Sequence, residues 1–295
     1  MGITGVCTVL VRAMQLQEEC EWMVRSSGGR DTVELRGKQR TLSLDHCVQW
    51  PDSSVADVVE DVVVFTTDFL GTHYAAPALY QDDESPDYLE AAKRYYAAIM
   101  MPFRSSVQDH LKLLDEIAPK IIGPSHGPVL KMPAKIVDLY RDWSGDNPKN
   151  LVIVAYVSMH GSTELMTKFL VDDLVQRGIP VQQYNLLETD TGVLGSSIVD
   201  AATIIVATPT VLFGPHPVAV NAAYLVRALR PKVKHLGVIG SYGWGPNAVN
   251  YLGEMLAPLG AEMRDPVYIK GLPEQEAIKA LHAMADAVEH RTKEL

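Results

Sequence analysis

The sequence predicts an α/β chain: a doubly wound parallel sheet of five strands, preceded by a separate α+β layer. Three observations carry this reading. From residue 151 onward, short β-branched runs alternate with amphipathic helical patterns, as right-handed strand–helix–strand crossovers require. Before residue 143 the order changes to a series of short strand-like runs followed by one long helical region. Between the two lies Trp143-Ser-Gly-Asp-Asn-Pro-Lys-Asn150, a turn-rich polar segment that marks a boundary. The domains are therefore expected at 1–147 and 148–295.

In the first domain Val6–Arg12, Trp22–Arg25, Thr32–Leu35, Thr41–Val48 and Val62–Thr67 read as strands, joined by polar turns such as Ser27-Gly-Gly-Arg30. A helical region runs from about Tyr88 to Ile117, and Lys120–Ile122 reads as a further strand. The Tyr95-Tyr96 and Met100-Met101 pairs sit in that helical stretch, where core packing is the default explanation. In the second domain the strand-like runs are Leu151–Val157, Pro180–Asn185, Thr203–Thr208, His235–Gly240 and Val267–Ile269. Helical patterns fall at Thr163–Arg177, Val218–Ala228, Pro246–Ala257 and Glu274–Thr292. In the last, Ile278, Leu281, Met284, Ala285 and Val288 keep the spacing of a core-facing stripe.

Composition narrows the function classes. A net charge of −10 argues against nucleic acid as a partner, since phosphate backbones need clustered Lys and Arg. Cys7, Cys20 and Cys47 form no CxxC pair and no zinc spacing, and a reducing compartment is the simpler setting. Gly5–Val11 lacks the basic flank and cleavage site of a signal peptide. Val6 stands where a myristoylation signal needs Ser or Thr. No apolar run approaches the ~18 residues of a membrane span. A cytoplasmic protein without a nucleic-acid or membrane partner is expected.

The chemistry concentrates in Ser158-Met-His-Gly-Ser-Thr163, which links the first strand of the second domain to its first helix. Such a loop presents backbone N–H groups and hydroxyls to an anion at a helix N-terminus. No lysine follows the glycine, so it is not a nucleotide-hydrolysing P-loop, and it lacks the G-x-G-x-x-G of dinucleotide folds. A hydroxyl-rich loop without a cation suits a single terminal phosphate, as on FMN; an ordinary capped turn is the alternative. Two companion segments, Thr208-Pro-Thr-Val-Leu-Phe-Gly214 and Gly240-Ser-Tyr-Gly-Trp-Gly245, fall at neighbouring strand ends. Their glycines allow close approach to a planar ligand, and Tyr242 and Trp244 offer faces for stacking.

These three segments resemble the phosphate loop and the two isoalloxazine loops of flavodoxin domains, and Gly-Ser-Tyr-Gly-Trp is similar to the form found in flavodiiron proteins, also called A-type flavoproteins. Trp50-Pro-Asp-Ser53, Phe65-Thr-Thr-Asp-Phe-Leu-Gly71, Ala92-Lys-Arg-Tyr-Tyr96 and Gly123-Pro-Ser-His-Gly127 resemble successive blocks of that family's metallo-β-lactamase-like domain. The resemblance runs from about Trp22 onward. It implies a flavodoxin-like, five-stranded doubly wound domain preceded by an incomplete metallo-β-lactamase-like α+β domain. It assigns Ser158, Met159, His160, Gly161, Ser162 and Thr163 to the FMN phosphate. Thr208, Pro209, Thr210, Val211, Phe213 and Gly214, with Ser241, Tyr242, Gly243, Trp244 and Gly245, fall to the ring. Leu212 and Phe213 stand where the family tends to carry asparagines.

The resemblance further implies a non-haem diiron site that takes electrons from FMN and reduces oxygen or nitric oxide. By motif, Asp68 and His126 match two of its ligands. The family's H-x-E-x-D-H cluster does not occur in this sequence, which begins after where the resemblance would put it, and the histidine expected before Trp50 is Gln49. His46 lies three residues earlier, which on a strand is the opposite face; Asp52 and His73 are polar candidates without a pattern. Iron is therefore doubtful. The first domain is expected to expose an apolar sheet face and edges that self-association or a partner chain would cover. The expected function is an FMN-binding, electron-transferring oxidoreductase of flavodiiron type with an incomplete iron site and a rubredoxin-like or reductase partner. The alternatives are an oxygen or nitric oxide reductase whose missing ligands come from another chain, and a non-catalytic subunit of an intact homologue.

Overall fold

The computed structural model describes residues 30–35, 38–43, 55–58, 61–81 and 85–292. Its chain divides into two units between Ser144 and Gly145. The strands expected at Val6–Arg12 and Trp22–Arg25, the three cysteines, and His46, Gln49 and Asp52 lie outside the described residues.

In the first unit, β1 (Arg30–Leu35), β2 (Lys38–Ser43), β3 (Val55–Val58), β4 (Val63–Thr67), β5 (Tyr80–Gln81), β6 (Ile121–Pro124) and β7 (Val129–Lys131) form one mixed sheet. Its order is β1-β2-β3-β4-β6-β7-β5. β1 to β4 are antiparallel neighbours, whereas β4 and β6 run parallel across a helical crossover. That crossover holds α1 (Pro86–Tyr95) and α2 (Arg104–Ile117), and α3 (Ala134–Ser144) closes the unit. The single helical region expected from Tyr88 to Ile117 is interrupted by a π-helical turn at Tyr96–Met100 and a 3₁₀ turn at Met101–Phe103. Pro102 is the cause: it has no N–H to donate, and its ring crowds the carbonyl one turn back. The Tyr95-Tyr96 and Met100-Met101 pairs are buried, as core residues should be. β3, β5 and β7 were not expected, since two to four residues are held by their pairing partners and carry little pattern of their own.

In the second unit, β8 (Lys149–Tyr156), β9 (Val181–Asn185), β10 (Ala201–Val211) with its short return strand β11 (Gly214–Pro215), β12 (His235–Tyr242), β13 (Glu262–Met263) and β14 (Val267–Lys270) build the sheet. The main path is β13-β12-β10-β8-β9, parallel throughout. The fifth position is shared: β13 pairs with the start of β12 and β14 with its end. The first strand of the unit thus lies between the second and third, and the strand order reverses there, the arrangement that opens a ligand crevice at carboxyl ends.

Helices α4 (Ser162–Gln176), α5 (Thr191–Ser197), α6 (Pro217–Leu229), α7 (Ala248–Leu256) and α8 (Gln275–Thr292) complete the unit. Met166, Leu170 and Leu174 of α4 meet Leu281, Met284, Ala285 and Val288 of α8 over Val154, Ile205 and Ile239. Ile278 is only half-buried, and Ala277 is the buried residue of that turn. α5 was missed because Gly192, Gly195 and two serines are poor helix formers. Its one signal is Asp190, whose carboxylate accepts the N–H groups of Gly192 (3.0 Å) and Val193 (3.3 Å).

An ion-pair network ties α4 to α8. Arg177 donates to Asp173 (3.0 Å) and reaches Asp286 and Glu289 on α8, the latter at 2.9 Å. His282 Nδ1 lies 2.6 Å from Asp173 Oδ2. Burial by itself would raise the Asp173 carboxyl, but hydrogen bonds from Arg177 and His282 outweigh it and hold it below the usual carboxylate range. A carboxyl held low in the folded state stabilises above its unfolded value of about 3.9 and loses that contribution as pH falls through its folded value. The melting temperature of wild type should therefore fall below about pH 4, and Asp173→Asn should flatten that part of the curve. Equal acid slopes for the two proteins would contradict the assignment.

Candidate functional site

The cleft lies at the carboxyl ends of β8, β10 and β12 and encloses about 410 Å³, within the range of small cofactor sites. One wall is the loop from β8 into α4. Gly161 is the N-cap, with φ +85°, and no side chain caps the helix. The first intrahelical bond runs from the Leu165 N–H to the Gly161 carbonyl (2.9 Å), so the N–H groups of Ser162, Thr163 and Glu164 have no intrahelical acceptor. The Gly161 N–H donates to Ser158 Oγ (3.1 Å), which fixes the loop. Thr163 is buried, and its hydroxyl lies 3.4 Å from that of Ser241 at the end of β12. Donors therefore converge at the positive end of a 15-residue helix, and among the described residues no lysine or arginine lines the cleft.

The second wall follows β10. The sequence placed a loop from Thr208 onward, yet the strand continues to Val211 because β11 folds back on it in an antiparallel hairpin, Thr210↔Pro215 and Val211↔Gly214. Leu212 and Phe213 form its two-residue turn, with φ of 47° and 70°. Non-glycine residues in that left-handed region cost about 1–2 kcal/mol each. β12 likewise runs past Gly240 to Tyr242, because β14 pairs with it at Gly240↔Tyr268, Ser241↔Ile269 and Tyr242↔Lys270. Tyr268 joins the ends of β10 and β12: its ring stacks on Tyr242 (centroids 5.8 Å, planes 8° apart), and its hydroxyl hydrogen-bonds Thr210 Oγ1 at 2.8 Å. Burial raises the Tyr268 hydroxyl above its ordinary value, against a smaller lowering by Thr210, so it stays protonated at neutral pH.

Of the residues assigned from sequence, Ser158, Met159, His160, Ser162 and Thr163 line the cleft from the first wall. Pro209, Thr210 and Val211 line it from the second, and Ser241, Tyr242, Gly243 and Trp244 from the end of β12 and the residues after it. Gly161, Thr208, Phe213, Gly214 and Gly245 do not line it. Gly161 shapes the loop behind, whereas Thr208 is fully buried, accepting the His216 N–H (3.0 Å) and donating to the Pro209 carbonyl (2.9 Å). Leu212 and Gly271 line the cleft without having been assigned to it. Gly271 closes β14 with φ +77° and donates its N–H to the Tyr242 carbonyl (3.0 Å), a role whose only sequence signal is a glycine after a strand run.

In the first unit Asp68 and His126 do meet. His126 Nε2 lies 3.2 Å from Asp68 Oδ1, with the imidazole half-exposed. His73 stands 6.0 Å from His126 between ring centroids and 4.9 Å from Tyr95. Burial, then the charge of Asp68, raises the Tyr95 hydroxyl far above its ordinary value. Among the described residues no three His, Cys, Asp or Glu side chains come together as metal ligands. Among the described residues this pair supplies one carboxylate and one imidazole, fewer donors than a two-iron centre takes.

The family described as Flavodoxin matches residues 154–283. A coenzyme F420H(2) oxidase of Methanocaldococcus jannaschii is 30% identical over 279 residues, covering 90% of this chain and 67% of that protein. The solved rubredoxin oxygen:oxidoreductase of Desulfovibrio gigas superposes with TM-score 0.86 at 27% identity, over 97% of this chain and 73% of that one. The flavodiiron protein of Giardia intestinalis has the same fold, with TM-score 0.83 at 22% identity over 97% and 71% of the two chains. The chain spans about 60% of the length of some of the curated relatives it matches.

Proposed function

This chain belongs to the flavodiiron protein family, and on that premise we propose that it is an FMN-binding electron-transfer flavoprotein whose iron ligand set is incomplete. In this proposal residues 1–147 form the metallo-β-lactamase-like domain and 148–295 the flavodoxin-like one. The observation that carries the reading is the cleft itself, where an uncapped helix N-terminus, the hydroxyls of Ser158, Ser162 and Thr163, and the rings of Tyr242 and Trp244 converge at the strand ends.

The residues divide the work. Ser158, Ser162 and Thr163, with the first N–H groups of α4, would hold the phosphate dianion by hydrogen bonds and the helix dipole. Ser241 keeps the Thr163 hydroxyl in place from the opposite wall. Tyr242 and Trp244 offer aromatic faces to the ring, and Gly243 lets the backbone come close between them. FMN bound there supplies one- and two-electron redox chemistry, while the protein orients and tunes it. A rubredoxin-like or reductase protein is the proposed electron donor, and a reducing cytoplasm the proposed setting. No described helix is long and apolar enough to cross a membrane.

The Asp68–His126 pair favours one second reading, oxygen or nitric oxide reduction at irons whose other ligands come from another chain. A visible spectrum with metal analysis of the purified protein separates the two. The first reading predicts the two-banded spectrum of oxidised flavin with iron far below one atom per chain. About two irons per assembly would favour the second. No flavin bands after FMN addition would defeat both.

A further inference from the structure

The turn at Leu212-Phe213 holds two apolar residues where the chain alone has no use for them. A two-residue hairpin turn with positive φ at both positions is type I′, for which Asn-Gly is favoured because glycine and asparagine tolerate the left-handed region. Leucine and phenylalanine do not, since the Cβ crowds the carbonyl. Both side chains also stand in solvent, Leu212 87% and Phe213 63% exposed. Backbone strain and apolar exposure thus coincide at the same two residues, beside the cleft.

Their placement supplies the reason. Leu212 lines the cleft. Phe213 lies on the bare backbone of Gly245, where a Cβ would come within 3.2 Å of Phe213 Cδ1, so the turn after β10 reaches across to the loop that carries Trp244. Its base is anchored, since Thr210 is hydrogen-bonded to Tyr268.

We propose that Leu212 and Phe213 are a positioning clasp for the flavin, Leu212 covering the isoalloxazine ring and Phe213 bracing the 243–245 loop against it. This rests on the FMN reading given above. It requires opposite effects from a single change: relaxing the turn stabilises the free protein and weakens FMN binding.

The test uses the 295-residue chain with the double substitution Leu212→Asn, Phe213→Gly, beside wild type and Leu212→Met. The readouts are the melting temperature of FMN-free protein and the FMN dissociation constant from quenching of flavin fluorescence. The double variant should melt roughly 4–8 °C higher, the scale of about 2 kcal/mol of strain relieved at two residues in a domain of this size. Its FMN affinity should be on the order of 10-fold weaker, whereas Leu212→Met, which keeps apolar cover, should stay within about 2-fold of wild type. A double variant that binds FMN as tightly as wild type, or melts lower without FMN, overturns the clasp and leaves the FMN reading standing. A wild-type chain that does not bind FMN overturns both.

Discussion

Gly240→Ala is expected to unfold the second unit or leave it too unstable to hold a cofactor. Gly240 sits in β12 between two neighbours, paired with Thr208 of β10 and Tyr268 of β14. A Cβ at this position would overlap the Thr208 carbonyl oxygen and come within 2.8 Å of Tyr268 Cε2. Neither can give way. The Thr208 backbone is held in the parallel ladder and by its own hydroxyl, and the Tyr268 ring is pinned between Tyr242 and Thr210. The sheet itself must separate at its centre, at an expected cost of about 3–5 kcal/mol out of a typical total of about 5–15. Gly243→Ala is the control, because a Cβ there meets nothing within 4 Å. Denaturant midpoints should drop sharply for the first and by under about 1 kcal/mol for the second. Similar losses from both would refute this account of the strand pair.

Ser162→Asp is expected to abolish FMN binding while the protein remains folded. Ser162 opens α4 and its side chain is only partly buried, so the carboxylate needs no repacking, and an acidic residue in a first turn suits the helix dipole. The same carboxylate would occupy the place proposed for the phosphate and repel it, with no lysine or arginine among the described residues of the cleft to compensate. Losing charged hydrogen bonds at about 1.5–3 kcal/mol each corresponds to roughly 10- to 100-fold in affinity, and repulsion adds to it. Calorimetry should give an FMN dissociation constant at least about 100-fold weaker with an unchanged or slightly raised FMN-free melting temperature. Unchanged affinity would move the phosphate elsewhere.

The second unit was the more legible half. Its central strands β8, β10 and β12 are buried apolar runs and its long helices α4 and α8 keep a 3.6-residue stripe, so each shows its own period. The hydroxyl loop was legible for the same reason, since Ser158 to Thr163 stand where a buried run hands over to a helix. What escaped depends on pairing partners rather than on a strand's own pattern. β10 and β12 run on past Thr208 and Gly240 only because β11 and β14 pair with them. Tyr268 bridges the ends of β10 and β12 through a stack and one hydrogen bond that no local pattern announces. The left-handed turn at Leu212-Phe213 goes against local preference, so propensity points away from it. In the first unit the meeting of Asp68 with His126 was expected only through family blocks, because 58 residues and a parallel pairing of β4 with β6 separate them.

A crystal structure of the 295-residue chain grown with FMN decides whether the cleft is the flavin site. One FMN per chain is expected, its phosphate within hydrogen-bond distance of Ser158, Ser162 or Thr163 and its ring against Trp244 and Leu212. Density for FMN outside the cleft at the ends of β8, β10 and β12, or none in crystals of protein saturated with it, would rule the cleft out.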